Sequence, residues 1–187
     1  MEIERSDGER LLRRADYERL AAEGAFTHQR VELLFGRVVA MTPINAPHRW
    51  SVYSVHEQIR RAVGRRAHVL CQTSFAASEI SEPEPDICVI PTGPDYWRED
   101  PTRALLVVEV ADSSLPRDRG IKRELYALAD VDEYWIVDLA HGCIEVYRDR
   151  LAGRWETVSV HHRGDAVAMF ALPDVAIFVD DVVPPAP

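Results

Sequence analysis

The sequence predicts an α/β (α+β) fold in which a central mixed β-sheet is flanked by helices, and three observations support this. Residues 48–67 repeat apolar side chains at helical spacing, on a face formed by Val52, Val55, Ile59 and Val63. Residues 104–110 are apolar nearly throughout, which is typical of a central strand covered on both faces. A second helix is predicted at 118–129, and this alternation of helices and strands favours a mixed sheet.

The remaining elements extend the sheet at both ends of the chain. The pattern predicts a first helix at 16–23 and a hairpin of strands at 31–35 and 37–41 around Gly36. Further extended segments are predicted at 69–76, 86–90, 134–137, 143–147 and 155–160 and near Met169 and Phe178. An N-terminal β-hairpin and extra C-terminal strands are therefore expected around the core.

Length and composition limit the possible functions. With 187 residues the chain is expected to be a single domain, 1–187, with a core at about 16–180 and a tail at 181–187. Its net charge of -9 argues against a general basic DNA-coating protein. No apolar run approaches the length of a membrane helix, and the first residues lack a signal-peptide pattern. An odd number of widely spaced cysteines favours a reducing, cytoplasmic location: Cys71, Cys88 and Cys143.

Glu109 is the first candidate functional residue, because it places a carboxylate inside the most apolar strand of the chain. An unpaired buried carboxylate costs several kcal/mol or becomes protonated, so a cation, a metal ion or solvent must compensate it. Periodicity leaves two interpretations open: a buried site carboxylate, or a residue at the sheet rim whose carboxylate reaches water.

Asp86 is the second candidate, since it begins a predicted strand directly after Pro85 and precedes four apolar residues. If its strand neighbours the strand of Glu109, the two carboxylates can converge. Two converging carboxylates suit Mg²⁺, which prefers oxygen ligands and retains several waters. A Pro-Asp pair at a strand start is also a common end of a loop, so Asp86 alone is a weak signal.

Lys122 is the third candidate and the single lysine among 22 basic residues. It begins the helix that follows the strand of Glu109, and such a return can bring the first helical turn back over the strand end. A lysine is a compact point charge whose pKa can be lowered by burial. An arginine has neither property. The alternative is an ordinary solvated lysine on a helix surface.

These residues stand in segments that together resemble the Uma-two family of restriction-endonuclease-like proteins, in the PD-(D/E)XK nuclease superfamily. The resemblance covers about residues 16–180, in matching segments at 31–36, 48, 84–86, 106–114, 118–127, 133–135 and 146–148. It implies a restriction-endonuclease-like core, with a central mixed β-sheet flanked by helices and an added N-terminal hairpin.

The resemblance also implies roles for individual residues. The superfamily pattern places a lysine two residues after the glutamate, and this position is Ala111 here. The resemblance implies that Lys122, on the next helix, has taken over the lysine role. Glu32 and His48 match further family positions and are expected to complete the site as metal or water partners. Glu32 would either bind a second metal ion or accept a proton.

The leading hypothesis is a metal-dependent endonuclease that hydrolyses phosphodiester bonds in DNA. Asp86, Glu109 and the Val110 carbonyl would hold Mg²⁺ (or Mn²⁺), while Lys122 orients the nucleophilic water or neutralises charge on the phosphate. Ser113 would either contact a phosphate or turn the chain. The alternative is a non-catalytic module with the same fold that acts as an interaction or nucleic-acid-binding protein.

DNA binding by an acidic protein requires local groups of cations. The sequence offers two strips of arginine: Arg60, Arg61, Arg65 and Arg66 on the first long helix, and Arg117, Arg119 and Arg123 beside Lys122. The alternative for the first strip is an ordinary solvated helix face. Tyr96 and Trp97 either stack on bases or pack their own loop. Cleavage of both DNA strands usually needs two sites and hence a symmetric homodimer, with the strands after Val137 as a candidate interface.

Overall fold

The computed structural model of the chain describes residues 11–93 and 98–185. Its strands are β1 (Val31–Leu34), β2 (Arg37–Ala40), β3 (Ala67–Cys71), β4 (Ile87–Pro91), β5 (Arg103–Ala104), β6 (Leu106–Ala111), β7 (Asp130–Val131), β8 (Tyr134–Asp138), β9 (Cys143–Leu151), β10 (Arg154–His162), β11 (Ala166–Ala168) and β12 (Ala176–Phe178). Its helices are α1 (Arg14–Ala22), α2 (Ala46–Val63), α3 (Leu115–Arg117), α4 (Arg123–Leu128) and α5 (Val179–Val182). A turn that is kinked at Gly120 (Asp118–Lys122) connects α3 to α4.

A six-stranded sheet with the order β10-β9-β8-β6-β4-β3 forms the centre of the fold. β6 pairs in parallel with β8 and antiparallel with β4, and the other neighbours in this sheet are antiparallel. All six residues of β6 are buried, as expected for a central strand with apolar clusters on both faces. The predicted central mixed sheet flanked by helices is therefore confirmed.

The side chains of β6 alternate between two apolar clusters on opposite faces of the sheet. Val108 belongs to the cluster that includes the buried face of α2, while Val107 belongs to the cluster that includes α4. Glu109 is two residues from Val107, so its side chain leaves the sheet on the α4 side. Asp86 is two residues from Cys88, which belongs to the same α4-side cluster. Both carboxylates therefore lie on one face.

The ends of α2 are set by capping residues. The Asn45 side chain accepts a hydrogen bond from the His48 backbone N–H (3.0 Å) and satisfies one of the free amides of the first turn. Gly64 has a φ of 63°, a left-handed conformation that favours glycine. The helix therefore ends at Val63 rather than at residue 67 as predicted, and Ala67 begins β3.

The N-terminal hairpin of β1 and β2 is confirmed, with Glu32 opposite Val39. Its turn consists of Phe35 and Gly36, with φ values of 48° and 78°. Leu33 exchanges backbone hydrogen bonds with Glu82, in the segment that precedes β4 (3.2 and 2.8 Å). These bonds attach the hairpin to the chain beside β4 and bring Glu32 toward the sheet.

Two segments differ from the prediction: one strand is shorter, and one helix begins earlier and is interrupted. The extended segment predicted at 69–76 ends at Cys71, because Gln72 adopts a left-handed φ of 50° and turns the chain. The helix predicted from residue 118 begins at Leu115 and is interrupted by a kink at Gly120, whose φ of -100° and ψ of -105° are not helical.

The C-terminal strands β9 to β12 extend the core, as predicted. Val182 and Val183, which the sequence places in the tail, are buried in the cluster beside α2. The Ser51 hydroxyl of α2 donates a hydrogen bond to the Val182 carbonyl (2.6 Å). Among the helices in the described part of the chain, none is long and apolar enough to cross a membrane.

Candidate active site

Asp86 and Glu109 meet at one end of the sheet because β4 and β6 are antiparallel neighbours. The register pairs Ile87 with Val108, so Asp86, the next residue outward, lies opposite Glu109. Asp86 Oδ2 accepts a hydrogen bond from the Val110 N–H (2.9 Å), so the carboxylate continues the ladder where β4 ends. The structure thus brings together the two carboxylates expected to converge.

The kinked turn (Asp118–Lys122) places Lys122 over this end of the sheet. Lys122 Nζ lies 3.0 Å from Glu109 Oε1 and 3.0 Å from Glu32 Oε2. The lysine is 4% exposed, so its ammonium group is a buried counter-ion of two carboxylates and not a solvated surface charge.

Glu32 reaches the site from β1 and is 1% exposed. In addition to the contact with Lys122, its Oε2 accepts a hydrogen bond from the Glu84 N–H (3.4 Å). Its Oε1 lies 3.6 Å from Arg117 Nη1 and has no hydrogen-bond partner among the described residues. Buried carboxylate oxygens are normally hydrogen-bonded, so the ion pair with Arg117 is the compensation that the described residues give this atom.

His48 enters the site from the first turn of α2. Its Nε2 lies 3.2 Å from Asp86 Oδ2, while its Nδ1 is buried without a hydrogen-bond partner among the described residues. Asn45, which caps the same turn, also donates a hydrogen bond to the Asp112 carboxylate. The end of α2 is thereby attached to the loop that follows β6.

The pKa values of the Asp86 and His48 pair favour an ion pair. Burial acts to raise the pKa of Asp86, but its hydrogen bond with His48, the charge of that ring and the Val110 N–H together lower it below the ordinary value. Burial acts to lower the pKa of His48, but its hydrogen bond with Asp86 and the charge of that carboxylate raise it. Both groups are therefore stabilised in their charged forms.

Glu109 differs from Asp86 in its electrostatics. Complete burial raises the pKa of Glu109 well above its ordinary value, and the positive charge of Lys122 offsets this only in part. Burial also acts to lower the pKa of Lys122, but the attraction of Glu109, Glu32 and Asp118 raises it. Neighbouring carboxylates whose pKa values move in opposite directions are typical of functional sites.

Asp118 and Tyr126 belong to the site although the sequence analysis did not select them. Tyr126 lies four residues after Lys122, a spacing that places two side chains on one helical face and was visible in the sequence. The Tyr126 hydroxyl donates a hydrogen bond to Glu109 Oε1 (2.7 Å). Asp118 accepts one from the Ser114 hydroxyl (2.6 Å), and burial raises its pKa to about 6.

A cleft with a volume of about 60 Å³ opens over these side chains and has room for a few waters or a hydrated ion. It is lined by all of the residues predicted to be catalytic, metal-binding or accessory: Glu32, His48, Asp86, Glu109, Val110, Ser113 and Lys122. Ser113 is exposed at this cleft. Val110 contributes its N–H to Asp86, and metal binding by its carbonyl stays a prediction.

The first predicted strip of arginines lies away from this cleft. Arg60 and Arg61 contact Glu57 (3.1 and 2.8 Å), and Arg60 is about 18 Å along α2 from His48, by the rise of an α-helix. Arg65 is exposed after the end of the helix. Arg66 and Asp174 form an ion pair (2.8 Å).

The second predicted strip is divided between the cleft and the protein surface. Arg117 lines the cleft. Arg119 forms ion pairs with the carboxylates of Asp138 and Glu145, and the Arg123 guanidinium lies 6.0 Å from the centroid of the Tyr147 ring. Arg30, which the sequence analysis did not select, also lines the cleft. Tyr96 and Trp97 lie outside the described residues.

The mixed sheet and the carboxylates at its end define a restriction-endonuclease-like fold. The family model described as "Uma2: Putative restriction endonuclease" matches residues 14–180, and the chain belongs to this family, which confirms the resemblance found in the sequence. A crystal structure from Anabaena variabilis ATCC 29413, described as "a putative nuclease belonging to DUF820", is similar with a TM-score of 0.67 and 15% sequence identity. That similarity covers 82% of this chain and 89% of the other and concerns the fold. Comparison with curated proteins gave no match.

Proposed function

We propose that the chain is a metal-dependent endonuclease that hydrolyses phosphodiester bonds in DNA. The observation that carries the proposal is the position of its single lysine. Lys122 Nζ lies 3.0 Å from carboxylate oxygens of both Glu109 and Glu32, beneath a cleft that Asp86 also lines. Burying several charged groups in one place has a high cost in desolvation free energy, so a contribution to stability does not by itself explain the cluster. Membership of a restriction-endonuclease family supports a catalytic reason for it.

The donor set of the cleft fits a hard divalent ion. Among the described residues no group of three or more His, Cys, Asp or Glu side chains is arranged to hold a metal ion. Mg²⁺ or Mn²⁺ would therefore be held by the carboxylates of Asp86 and Glu109, with the Val110 carbonyl and water, since Mg²⁺ commonly keeps several waters. When bound, the ion would polarise the phosphate and acidify water.

The protein's own side chains supply the remaining chemistry. An ammonium group has three N–H donors, so Lys122 retains one for a phosphate oxygen or the nucleophilic water after its contacts with Glu109 and Glu32. Glu32 Oε1, which accepts no hydrogen bond from the described residues and lies 3.6 Å from Arg117 Nη1, would accept a proton from that water. The raised pKa of His48 favours the charged ring, whose Nδ1–H would donate to the phosphate.

The finer features of this function are also proposals. Arg30 and Arg117 line the cleft and offer positive charge to a DNA phosphate. Hydrolysis of both strands of a duplex usually needs two sites, for which we propose a homodimer that light scattering can detect. The free state of Cys71, Cys88 and Cys143 supports a cytoplasmic location.

Plasmid nicking tests the endonuclease proposal. Purified protein is incubated with supercoiled, linear and single-stranded DNA in Mg²⁺ or Mn²⁺, beside Asp86→Asn and the exposed-carboxylate control Asp174→Asn. We expect the wild type and the control to cleave and Asp86→Asn to be inactive. Wild-type cleavage no greater than that of Asp86→Asn on every DNA form would reject an endonuclease.

A second function is a non-catalytic module that retained the fold. This function is favoured by the hydrogen bonds that Lys122 and Tyr126 donate to Glu109. Because of them, the carboxylate has partners even without a metal ion. Calorimetric titration with Mn²⁺ separates the two functions. A nuclease should bind Mn²⁺ and lose this binding in Glu109→Gln, whereas a non-catalytic module should show no binding or the same binding in both proteins.

A further inference from the structure

The outward face of α2 combines exposed aromatic rings with basic side chains. Trp50 is 42% exposed and Tyr53 is 64% exposed, whereas Val52, Val55 and Ile59 on the opposite side of the helix are buried. Among the described residues neither exposed ring stacks on another aromatic side chain. Large exposed apolar groups next to one another are uncommon on a soluble protein and mark a place of contact.

The charge of this segment is opposite to that of the whole protein. Between Ala46 and Arg66 there are five arginines and one acidic residue, Glu57, although the chain has a net charge of -9. Arg49 is exposed directly before Trp50. Arg60 and Arg61, two turns beyond Tyr53, share Glu57 as their ion-pair partner, so the local charge stays positive.

The spacing of these groups matches a nucleic-acid strand. Trp50 and Tyr53 are three residues apart and therefore adjacent on the helix surface. Arg49 and Arg60 are about 16 Å apart along the helix axis, by its rise per residue. Aromatic rings beside a positively charged track are the combination that binds single strands, because every unpaired base offers a face for stacking while phosphates pair with arginine.

The helix also leads to the cleft. His48, one residue before Arg49, contacts Asp86 in the candidate active site. A strand lying along the outward face of α2 therefore reaches the cleft at the N-terminal end of the helix.

We propose that the outward face of α2, formed by Arg49, Trp50, Tyr53, Arg60 and Arg61, binds an unpaired nucleic-acid strand and leads it to the cleft. Bases stack on Trp50 and Tyr53, and phosphates contact the arginines. The proposal rests on the proposed nuclease function and adds a substrate form to it: single-stranded DNA, or a duplex with an unpaired segment. It also gives a role to Arg60 and Arg61, the two residues of the first arginine strip that lie on this face.

Fluorescence anisotropy tests the binding without any cleavage. A labelled oligothymidylate and a labelled duplex of equal length are titrated with protein in EDTA, at several salt concentrations. The wild type should bind the single strand more tightly than the duplex. Trp50→Ala and Tyr53→Ala should each weaken single-strand binding by roughly 5- to 100-fold, the range expected for one base–aromatic stack, and Trp50→Phe should restore most of it.

Two controls separate stacking from charge and from general surface effects. Leu128→Ala removes a 58% exposed side chain from α4, on the other side of the sheet, and should bind as the wild type does. Arg60→Ala with Arg61→Ala should lower the slope of log affinity against log salt by about 0.7 for each phosphate that the protein then leaves unneutralised.

Binding and cleavage can fail separately. If Trp50→Ala and Tyr53→Ala bind the single strand as tightly as the wild type, or if the wild type prefers the duplex, the α2 surface is not a single-strand site, even in an active nuclease. If single-strand binding behaves as expected while no DNA form is cleaved, the α2 surface is supported and the endonuclease proposal fails alone.

Discussion

Lys122 Nζ and Glu109 Oε1 lie 3.0 Å apart with both side chains 5% exposed. The same oxygen of Glu109 accepts a hydrogen bond from the Tyr126 hydroxyl (2.7 Å). Two donors from one helical face thus hold one oxygen of a carboxylate that β6 presents at the end of the sheet. The orientation of Glu109 is therefore fixed by the helix that follows its own strand.

Lys122→Arg keeps the charge and should remove most of the nuclease activity. A planar guanidinium cannot place a compact charge between Glu109 and Glu32 in a site that is closed to solvent. Loss of one donor aimed at the reacting group typically lowers the rate by roughly 100- to 1000-fold. The initial rate of plasmid nicking in Mn²⁺ measures the loss of activity. Arg154→Lys, the opposite exchange at an exposed position, is the control and should leave the rate unchanged. Wild-type activity in Lys122→Arg would mean that the single lysine is an accident of composition.

Tyr126→Phe should weaken metal binding more than it weakens the fold. The substitution removes only the hydroxyl group that donates a hydrogen bond to Glu109. Loss of such a supporting partner typically lowers metal affinity by roughly 10- to 100-fold. The stability cost should be near the ordinary value for one hydrogen bond, about 1 kcal/mol. Calorimetric titration with Mn²⁺ and denaturant unfolding measure the two effects.

Tyr134→Phe is the matched control for Tyr126→Phe. Tyr134 is equally buried, but its hydroxyl donates to the backbone carbonyl of Asp118 (3.2 Å) and not to a carboxylate. It should have a similar effect on stability and little effect on Mn²⁺ affinity. Equal losses of affinity in the two variants would mean that Tyr126 has no particular role in orienting Glu109.

Asp118→Asn should stabilise the protein, and the gain should depend on pH. Burial raises the pKa of Asp118 from 3.8 to about 6, so folding favours its protonated form. Stability is therefore lost as pH rises from about 4 through 6, and the penalty is complete above that window. The neutral amide avoids a penalty of up to about 3 kcal/mol above pH 6 and should give little gain near pH 4. Thermal unfolding of both proteins across this range is the measurement, and an equal gain at all pH values would contradict it.

The sequence was informative where a local pattern determines structure. The apolar run at 104–110 and the four apolar residues after Asp86 predicted two strands, whose carboxylates Asp86 and Glu109 could converge if the strands were neighbours. The antiparallel register of β4 and β6 places these two residues opposite each other. The contact of Glu32 with Lys122 joins residues 90 positions apart through two different elements. No spacing rule predicts such a contact, so it could be expected only through the family resemblance.

Other features were missed for identifiable physical reasons. Gly64 was visible as a helix stop, yet the apolar periodicity suggested a longer helix. The kink at Gly120 changes the helical register between Asp118 and Lys122, and a regular pattern at 118–129 gives no sign of it. The sequence pattern does not indicate that Trp50 and Tyr53 are exposed side chains on one face of α2. Such exposure becomes informative only when the buried side of the helix is known.

His48→Ala should shift the pH dependence of metal binding toward higher pH. In the folded protein the pKa of Asp86 is lowered, against the effect of burial, chiefly by the hydrogen bond and charge of His48. Without the ring the pKa of Asp86 rises, so its carboxylate is protonated, and Mn²⁺ is released, at a higher pH than in the wild type. The stability that ionised Asp86 contributes is present above its unfolded pKa and lost as pH falls through its folded pKa, so His48→Ala should also unfold more easily at neutral pH.

Calorimetric titration with Mn²⁺ at a series of pH values measures the shift in the pH dependence of metal binding. His141→Ala, which removes a ring paired with Asp138 outside the cleft, is the control. An unchanged pH profile in His48→Ala would show that His48 does not set the ionisation of Asp86.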